Sequence, residues 1–409
     1  MEKCPLNLSF PVEIVKEGAV SVAVPKRLKA WNSAPSKAPV FFNPAMELNR
    51  DIAVLALQAY QSMVGREVSV CEPLAGCGVR GIRFAVEVRG IRKIVLGDIN
   101  PKAAELAHLN VKRNNLSSLV EVSNEDANLL LSRYAAPRKR FDFIDVDPFG
   151  SPAPYMDSAV RALRDGGLLA LTATDMAPLC GVHPKAGIRK YGGKPLRTEY
   201  CHELAVRLLI GCLTMTAAKH DIGVEAMFSH STDHYIRVYA LTRHGARESD
   251  KSLRKMGYIL HCFTCLHRET IRELASPLKW ECPECGSELS VAGPIWLGRI
   301  CSGEFCGYMR REAAGRNLKE GDRILELLSL IENEADGSVT YYVTDKMCEK
   351  LSLPTPPLTH VIGELKKMGF KAVSTHFNRK GFRTDASAKM VKEVVAKLAS
   401  PQTFIIPSS

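Results

Sequence analysis

The sequence predicts an α/β fold: a doubly wound parallel sheet with a smaller α+β domain after it. Three observations carry that expectation. Short apolar runs alternate with helical patterns from residue 68 to residue 173, as when strands are joined by crossover helices. The first run leads into Glu72-Pro73-Leu74-Ala75-Gly76-Cys77-Gly78-Val79-Arg80-Gly81, a turn that lets backbone approach a ligand closely. The next strands lead to Asp98, Asp126 and Asp147, at the sheet edge where open α/β folds bind ligands.

Residues 1–40 read as an extension, with a strand-like run at 20–24 and breaks at Pro5, Pro11, Pro25, Pro35 and Pro39. Met46, Leu48, Ile52, Leu55 and Ala59 recur near helical spacing and predict a helix over 46–64. The alternation then runs strand 68–71, helix 79–89, strand 93–97, helix 101–114 with Pro101 in its first turn, and strand 119–123. Strand 141–146, a helix near 153–164 and strand 167–173 continue it. A long helix near 198–220 precedes strands 222–229 and 234–242, which read as an antiparallel hairpin on the sheet's edge. The polar run 243–251 marks a boundary between residues 1–245 and 246–409. In the second part a cysteine-rich segment spans 258–310. Helices near 320–334, 344–352 and 357–368, then strands 371–375 and 381–384, predict a winged-helix-like unit over 319–400. Any small α+β domain would satisfy the same pattern.

With 46% hydrophobic residues among 409, the chain can bury cores for about two or three domains. No apolar run is expected to reach the ~18 residues that span a bilayer, so no membrane partner is predicted. The opening Met1-Glu2-Lys3-Cys4-Pro5 lacks the pattern of a signal peptide. Thirteen cysteines without such a signal predict reduced thiols, a metal site and a cytoplasmic protein. A formal charge of +11 suits a nucleic-acid partner. No obligate protein partner is indicated.

Asp147-Pro148-Phe149-Gly150 closes an apolar strand, and it fits methyl transfer to the exocyclic amine of a nucleobase. Such an amine is flattened because its lone pair is delocalised into the ring. A carboxylate and a backbone carbonyl can each accept one N–H, which frees that lone pair to attack. Proline fixes the backbone there, and the aromatic ring can stack on the base. Asp-Pro is also a common turn opener. The glycine turn alone does not choose between a dinucleotide and S-adenosylmethionine. Asp98 is placed to bind a ribose, and Asp126-Ala127 to read an adenine amine. A dehydrogenase would need a hydride-handling residue and a substrate domain, and neither is recognisable. S-adenosylmethionine is therefore the expected donor, with Glu72, Gly76 and Gly78 in its site.

Cys262-Phe263-Thr264-Cys265 and Cys282-Pro283-Glu284-Cys285 are two C-x2-C pairs sixteen residues apart, the spacing of a tetrahedral structural zinc site. Cys301 and Cys306 are surplus to four ligands, and His261 and His267 read as surface residues.

Several motifs together resemble the tRNA guanine-26 N2-dimethyltransferases, the archaeal-type members in particular. They are Val40-Phe41-Phe42-Asn43-Pro44, Leu48-Asn49-Arg50-Asp51, Gly78-Val79-Arg80-Gly81-Ile82-Arg83 and Asp147-Pro148-Phe149-Gly150-Ser151. Thr172-Ala173-Thr174-Asp175, Ala177-Pro178-Leu179-Cys180-Gly181, Asp233-His234-Tyr235, Gly293-Pro294-Ile295-Trp296-Leu297-Gly298 and Thr375-His376-Phe377 carry the likeness through most of the chain. The resemblance implies a Rossmann-like, S-adenosylmethionine-dependent methyltransferase domain. Its product would be N2-methyl- and N2,N2-dimethylguanosine at position 26 of tRNA. It implies that Asp147 holds the guanine amine, that Pro148 offers its carbonyl, and that Phe41 and Phe149 stack on the base. It further implies that Arg50, Arg80, Asp98, Asp126 and Ala127 line the donor site. Arg50 would equally fit an ion pair with a neighbouring acid, and Phe41, beside Phe42, ordinary packing.

The tRNA would be gripped by a basic Gly/Pro-rich loop at 176–197, carrying Lys185, Arg189, Lys190, Lys194 and Arg197. Lys366, Lys367, Lys371, Arg379, Lys380 and Arg383 add charge near the C-terminus. Three other readings stay open at this point: methylation of another nucleobase amine, a zinc-ribbon plus winged-helix binder whose enzyme domain is degenerate, and an NAD-dependent enzyme, which nicotinamide binding would expose.

Overall fold

In a computed structural model, which describes residues 8–26, 38–272 and 280–399, the extension begins with a hairpin of β1 (Val12–Glu17) and β2 (Val20–Pro25). The expected breaks at Pro5 and Pro35, and residue 400, lie outside the described residues. The helix expected over 46–64 is α1 (Glu47–Val64), and it ends where Gly65 turns left-handed.

The alternation that follows builds a seven-stranded sheet. Its elements are β3 (Val68–Glu72), α2 (Val79–Glu87), β4 (Ile91–Gly97), α3 (Pro101–Arg113), β5 (Val120–Ser123), α4 (Ala127–Arg133), β6 (Phe141–Val146), α5 (Met156–Ala162) and β7 (Leu163–Ala173). Then come α6 (Met176–Leu179), α7 (Pro184–Tyr191), α8 (Cys201–Ala218), β8 (Ile222–Thr232) and β9 (Tyr235–His244). The order across the sheet is β5-β4-β3-β6-β7-β9-β8. Strands β3 to β7 run parallel, and the β8–β9 hairpin closes the edge by pairing β9 antiparallel to β7. Every residue of β6 is buried, as a central strand covered on both faces requires.

Three expectations need correction here, and the cysteine-rich segment gains its structure. The strand expected at 167–173 starts at Leu163, because α5 ends at Ala162 and a register shift lets 163–166 extend β7. The basic loop at 176–197 contains two helices, α6 and α7. The cysteine-rich segment is a three-stranded sheet plus a helix. After α9 (Ala246–Leu253) come β10 (Met256–His261), β11 (Arg268–Ile271) and β12 (Ser290–Trp296), in order β11-β10-β12, and then α10 (Gly303–Ala314). Finally, α8 is 18 residues long and apolar enough to match a bilayer. It nevertheless packs as a core helix against β8 and β12, with 67% of its apolar window buried.

The C-terminal unit comprises α11 (Gly321–Glu334), β13 (Tyr342–Val343), α12 (Thr344–Leu351), α13 (Leu358–Lys367), β14 (Ala372–Thr375), β15 (Asn378–Thr384) and α14 (Ala388–Ala399). Four helices accompany a sheet ordered β13-β15-β14, a winged-helix-like arrangement with a third strand where two were expected and a fourth helix, α14, where three were. The cores do not stop at residue 245. Phe305 and Met309 of α10 share a core with α1, and Trp296 of β12 shares one with α8.

Candidate active site

The glycine turn is built as a ligand cradle. Gly76 and Gly78 hold φ of 56° and 79°, which a side chain would strain. Gly81 is ordinary in φ, but a Cβ there would lie 2.3 Å from Leu96 Cδ2, so its role is close packing of α2 on β4. The Gly76 N–H donates to Asp98 Oδ2 at 2.8 Å, which fixes the turn to the end of β4. Asp98 also accepts from Asn100 N at 2.9 Å. Asp126 caps α4, accepting from Asn128 N at 2.9 Å and Leu129 N at 3.1 Å, with Ala127 buried as the first helical residue. The three acids thus follow the carboxyl ends of β4, β5 and β6, with β3 lying between β4 and β6.

Asp147 follows β6. Its turn is held from both sides: Gly150 N donates to Thr174 Oγ1 at 2.8 Å, and Thr174 N donates to Gly150 O at 2.9 Å. Phe149 is left 66% exposed at the tip, and Phe41, 36% exposed, meets it edge to face with ring centroids 4.6 Å apart. Two aromatic rings from distant parts of the chain therefore stand beside the Asp147-Pro148 step.

Behind Asp147 lies a buried charge cluster. Arg80 hydrogen-bonds Asp147 and, at 2.9 Å, Asn49 Oδ1. It also lies 3.2 Å from Glu72 and 3.6 Å from Asp145. Asp145 is paired in turn with Arg237, which donates to Tyr239 Oη at 2.7 Å and Thr172 Oγ1 at 2.5 Å. Burial pushes the Asp147 carboxyl up, but the Arg80 and Arg237 charges outweigh it and hold the group below the usual range. Glu72 goes the other way. Burial outweighs Arg80, and the Asp145 and Asp147 charges add to it, so Glu72 is pushed up to about 8.

Arg50 is held by Glu17, at 2.6 Å from Nε and 2.5 Å from Nη2, and also donates to Asn43 O at 3.2 Å. Its charge still reaches Asp147. The ion pair offered by the sequence is therefore present, beside the site. Asn49, Asp145, Arg237 and Glu17 were missed. Opposite charges within the apolar strands β6 and β9 were the available signal for the Asp145–Arg237 pair.

The four cysteines converge. Their sulfurs all lie within 4.8 Å of one another, with Cys262–Cys285 at 3.5 Å and Cys265–Cys282 at 3.4 Å. Each pair forms the same knuckle: Leu266 N donates to Cys262 O and Gly286 N to Cys282 O, both at 2.9 Å, and both residues have positive φ. Four thiols so arranged fit a tetrahedral zinc ion. Two readings fail here. His261 is fully buried, not at the surface, and lies edge-on to Tyr200 and Phe263. Desolvation pushes its pKa down to about 3. His267 is partly buried and pairs with Glu284 at 3.2 Å. Cys301 and Cys306 sit in the α1–α10 core, apart from the four.

Arg383 is also corrected. It is 2% exposed and paired with Glu203 at 3.0 Å and Glu334 at 2.5 Å, so it cannot meet RNA. Lys366, Lys367, Lys371, Arg379 and Lys380 are exposed, as are Lys185, Arg189, Lys190, Lys194 and Arg197.

Comparison with known proteins matches this geometry to one family. The profile of the N2,N2-dimethylguanosine tRNA methyltransferases matches residues 18–396. The tRNA (guanine(26)-N(2))-dimethyltransferase of Methanothermobacter thermautotrophicus is 44% identical over 384 residues, 94% of this chain and 98% of that protein. The tRNA (guanine(26)-N(2)/guanine(27)-N(2))-dimethyltransferase of Aquifex aeolicus is 38% identical, covering 95% of this chain and 96% of its own. Trm1 from Pyrococcus horikoshii, solved with S-adenosyl-L-methionine, superposes with a TM-score of 0.83 at 33% identity, covering 94% of this chain and 99% of that one. The chain therefore belongs to the N2,N2-dimethylguanosine tRNA methyltransferase family.

Proposed function

We propose that this protein methylates the exocyclic N2 amine of guanine 26 in tRNA, giving N2-methyl- and then N2,N2-dimethylguanosine, with S-adenosyl-L-methionine as donor. The observation that carries the reading is the Asp147-Pro148 step flanked by the Phe41–Phe149 ring pair. A guanine stacked inside tRNA must be extruded, which costs a few kcal/mol, and aromatic faces offset part of that. The Asp147 carboxylate and the Pro148 carbonyl then accept the two amine hydrogens and free the nitrogen lone pair. Arg80 keeps Asp147 ionised for this task. As the nitrogen gains positive charge, that carboxylate stabilises it, and the amine proton leaves without a strong base. Glu72, Gly76, Gly78, Arg80, Asp98, Asp126 and Ala127 would hold the donor, with Arg50 beside them. When bound, the donor supplies an electrophilic methyl group on a sulfonium.

Residues 1–245 would perform the chemistry and 246–409 would hold the tRNA body. The four cysteines would bind zinc as a structural ion. A thiol-rich enzyme acting on tRNA would work in the cytoplasm. The test is methylation of two transcripts that differ only at position 26, followed by separation of the nucleosides. N2-methylated guanosine from the guanine-26 transcript alone is the expected result. Equal product from both transcripts would move the target, and no N2-methylated guanosine from either would refute the reading.

A further inference from the structure

A second group of soft ligands lies away from the four-cysteine set. Cys180, at the end of α6, and Cys201 and His202, in the first turn of α8, bring two sulfurs and a ring nitrogen within 4.8 Å of one another. Cys180 is buried and the other two are half-buried, so the group is sheltered but reachable by a small ion.

Local structure brings the three together. Residues 181–200 form an excursion between α6 and α8. A Cβ on Gly181 would lie 2.7 Å from the backbone of Leu196 and Arg197, so the two limbs of the segment touch. Lys194 pairs with Gly293 through two 2.9 Å backbone hydrogen bonds, and Tyr191 donates to Asp175 at 2.6 Å. The segment is therefore anchored at its middle, and the cluster sits where its ends meet. His202 makes no hydrogen bond among the described residues. Glu203, the nearest acid in sequence, is held by Arg207 at 2.8 Å and Arg383 at 3.0 Å, and Glu199 by Arg268 at 2.9 Å.

We propose that Cys180, Cys201 and His202 form a second metal site, which takes one zinc ion and staples the two ends of segment 181–200. A set of two thiolates and one imidazole suits zinc over magnesium or calcium, which prefer oxygen. Three protein ligands leave the fourth position to water, unlike the closed four-cysteine set. The ion would fix Lys185, Arg189, Lys190, Lys194 and Arg197 relative to Asp175, beside the Asp147 turn. The inference does not rest on the reaction assigned above.

The test is metal content of the full chain by elemental mass spectrometry, after purification with zinc present. Wild type is compared with His202→Ala and with Cys180→Ser, and melting temperature checks that each variant folds. The expected result is one zinc equivalent fewer in each folded variant than in wild type. Cobalt-loaded wild type should also show thiolate-to-cobalt charge transfer that changes on His202→Ala. Equal zinc content in wild type and a folded His202→Ala variant would overturn the proposal. So would a Cys180–Cys201 disulfide peptide in a non-reducing digest of protein with that same unchanged metal content.

Discussion

Arg80 is the residue on which the site turns. It reaches Asp147, Asn49, Glu72 and Asp145 from one buried position. Because its charge keeps Asp147 below the ordinary carboxylate range, the carboxylate form persists at neutral pH and is lost only as pH falls through that lowered value. Arg80→Met should let burial dominate, and the acid limb of the single-turnover pH profile should move to higher pH. An unmoved limb would show that Arg80 does not set the charge of Asp147. Phe149 permits a cleaner substitution, because it is 66% exposed and contributes little to the core. Phe149→Ala should cost about 1–3 kcal/mol in kcat/KM, roughly a 5- to 150-fold loss, with an unchanged melting temperature. Wild-type kcat/KM would remove its stacking role. At this scale the sequence was informative where a motif carried the chemistry. Phe41 and Phe149 meet beside the Asp147-Pro148 step that the motif singled out. The support behind them was hidden, because Asp145 and Arg237 come from strands far apart in sequence and only pairing across the sheet brings them into contact.

Among the elements, α11, β14 and β15 meet α8 through a buried ionic chain. Glu334 accepts from Thr375 Oγ1 and Arg383 Nε, both at 2.5 Å, and pairs with His376. Arg383 continues to Glu203, and Glu203 to Arg207 at 2.8 Å. Burial would raise Glu334, but His376 and Arg383 outweigh it and hold its pKa down at about 2. A lowered carboxylate pKa stabilises the fold above the unfolded value of about 4.3, and that stability is lost as pH falls toward about 2. Glu334→Gln should therefore flatten the acid limb of stability against pH in urea melts, and cost about 3–5 kcal/mol at neutral pH. An unchanged acid limb would contradict this linkage. Removal of the proposed zinc ion would act on a different element. Chelation should raise hydrogen exchange in the two knuckles after β10 and before β12 while donor affinity holds. Lost donor affinity at unchanged knuckle exchange would contradict a structural role. Strand and helix existence was largely legible here, because β/α alternation and Pro101 are local signals. Helices α7 and α10 were not. Gly187 and the surrounding prolines disguised α7, and Cys301 and Cys306, before and within α10, resembled ligands when they are core residues.

For the whole molecule, exposed lysines and arginines occur both on segment 181–200 and on the winged-helix-like unit. If both grip phosphates, tRNA affinity should fall steeply with salt, with a log–log slope of several units. A flat dependence would remove the electrostatic account of binding. The shared cores have a consequence for truncation. Ending the chain near residue 245 would strip Phe305 and Met309 from α1 and Trp296 from α8, so the remnant should aggregate. A soluble, cooperative remnant would show that the sheet domain is independent. The polar run at 243–251 suggested a two-part division, but the continuity of packing across it was not readable, because a boundary in composition says nothing about which faces bury one another. The central claim is that the Asp147 carboxylate accepts an amine hydrogen of the flipped guanine. It is tested most directly by single-turnover methyl transfer in Asp147→Asn at saturating donor and tRNA. The expected result is a fall of about 10²–10³-fold in rate with donor and tRNA affinities unchanged. A wild-type rate in that variant would contradict it.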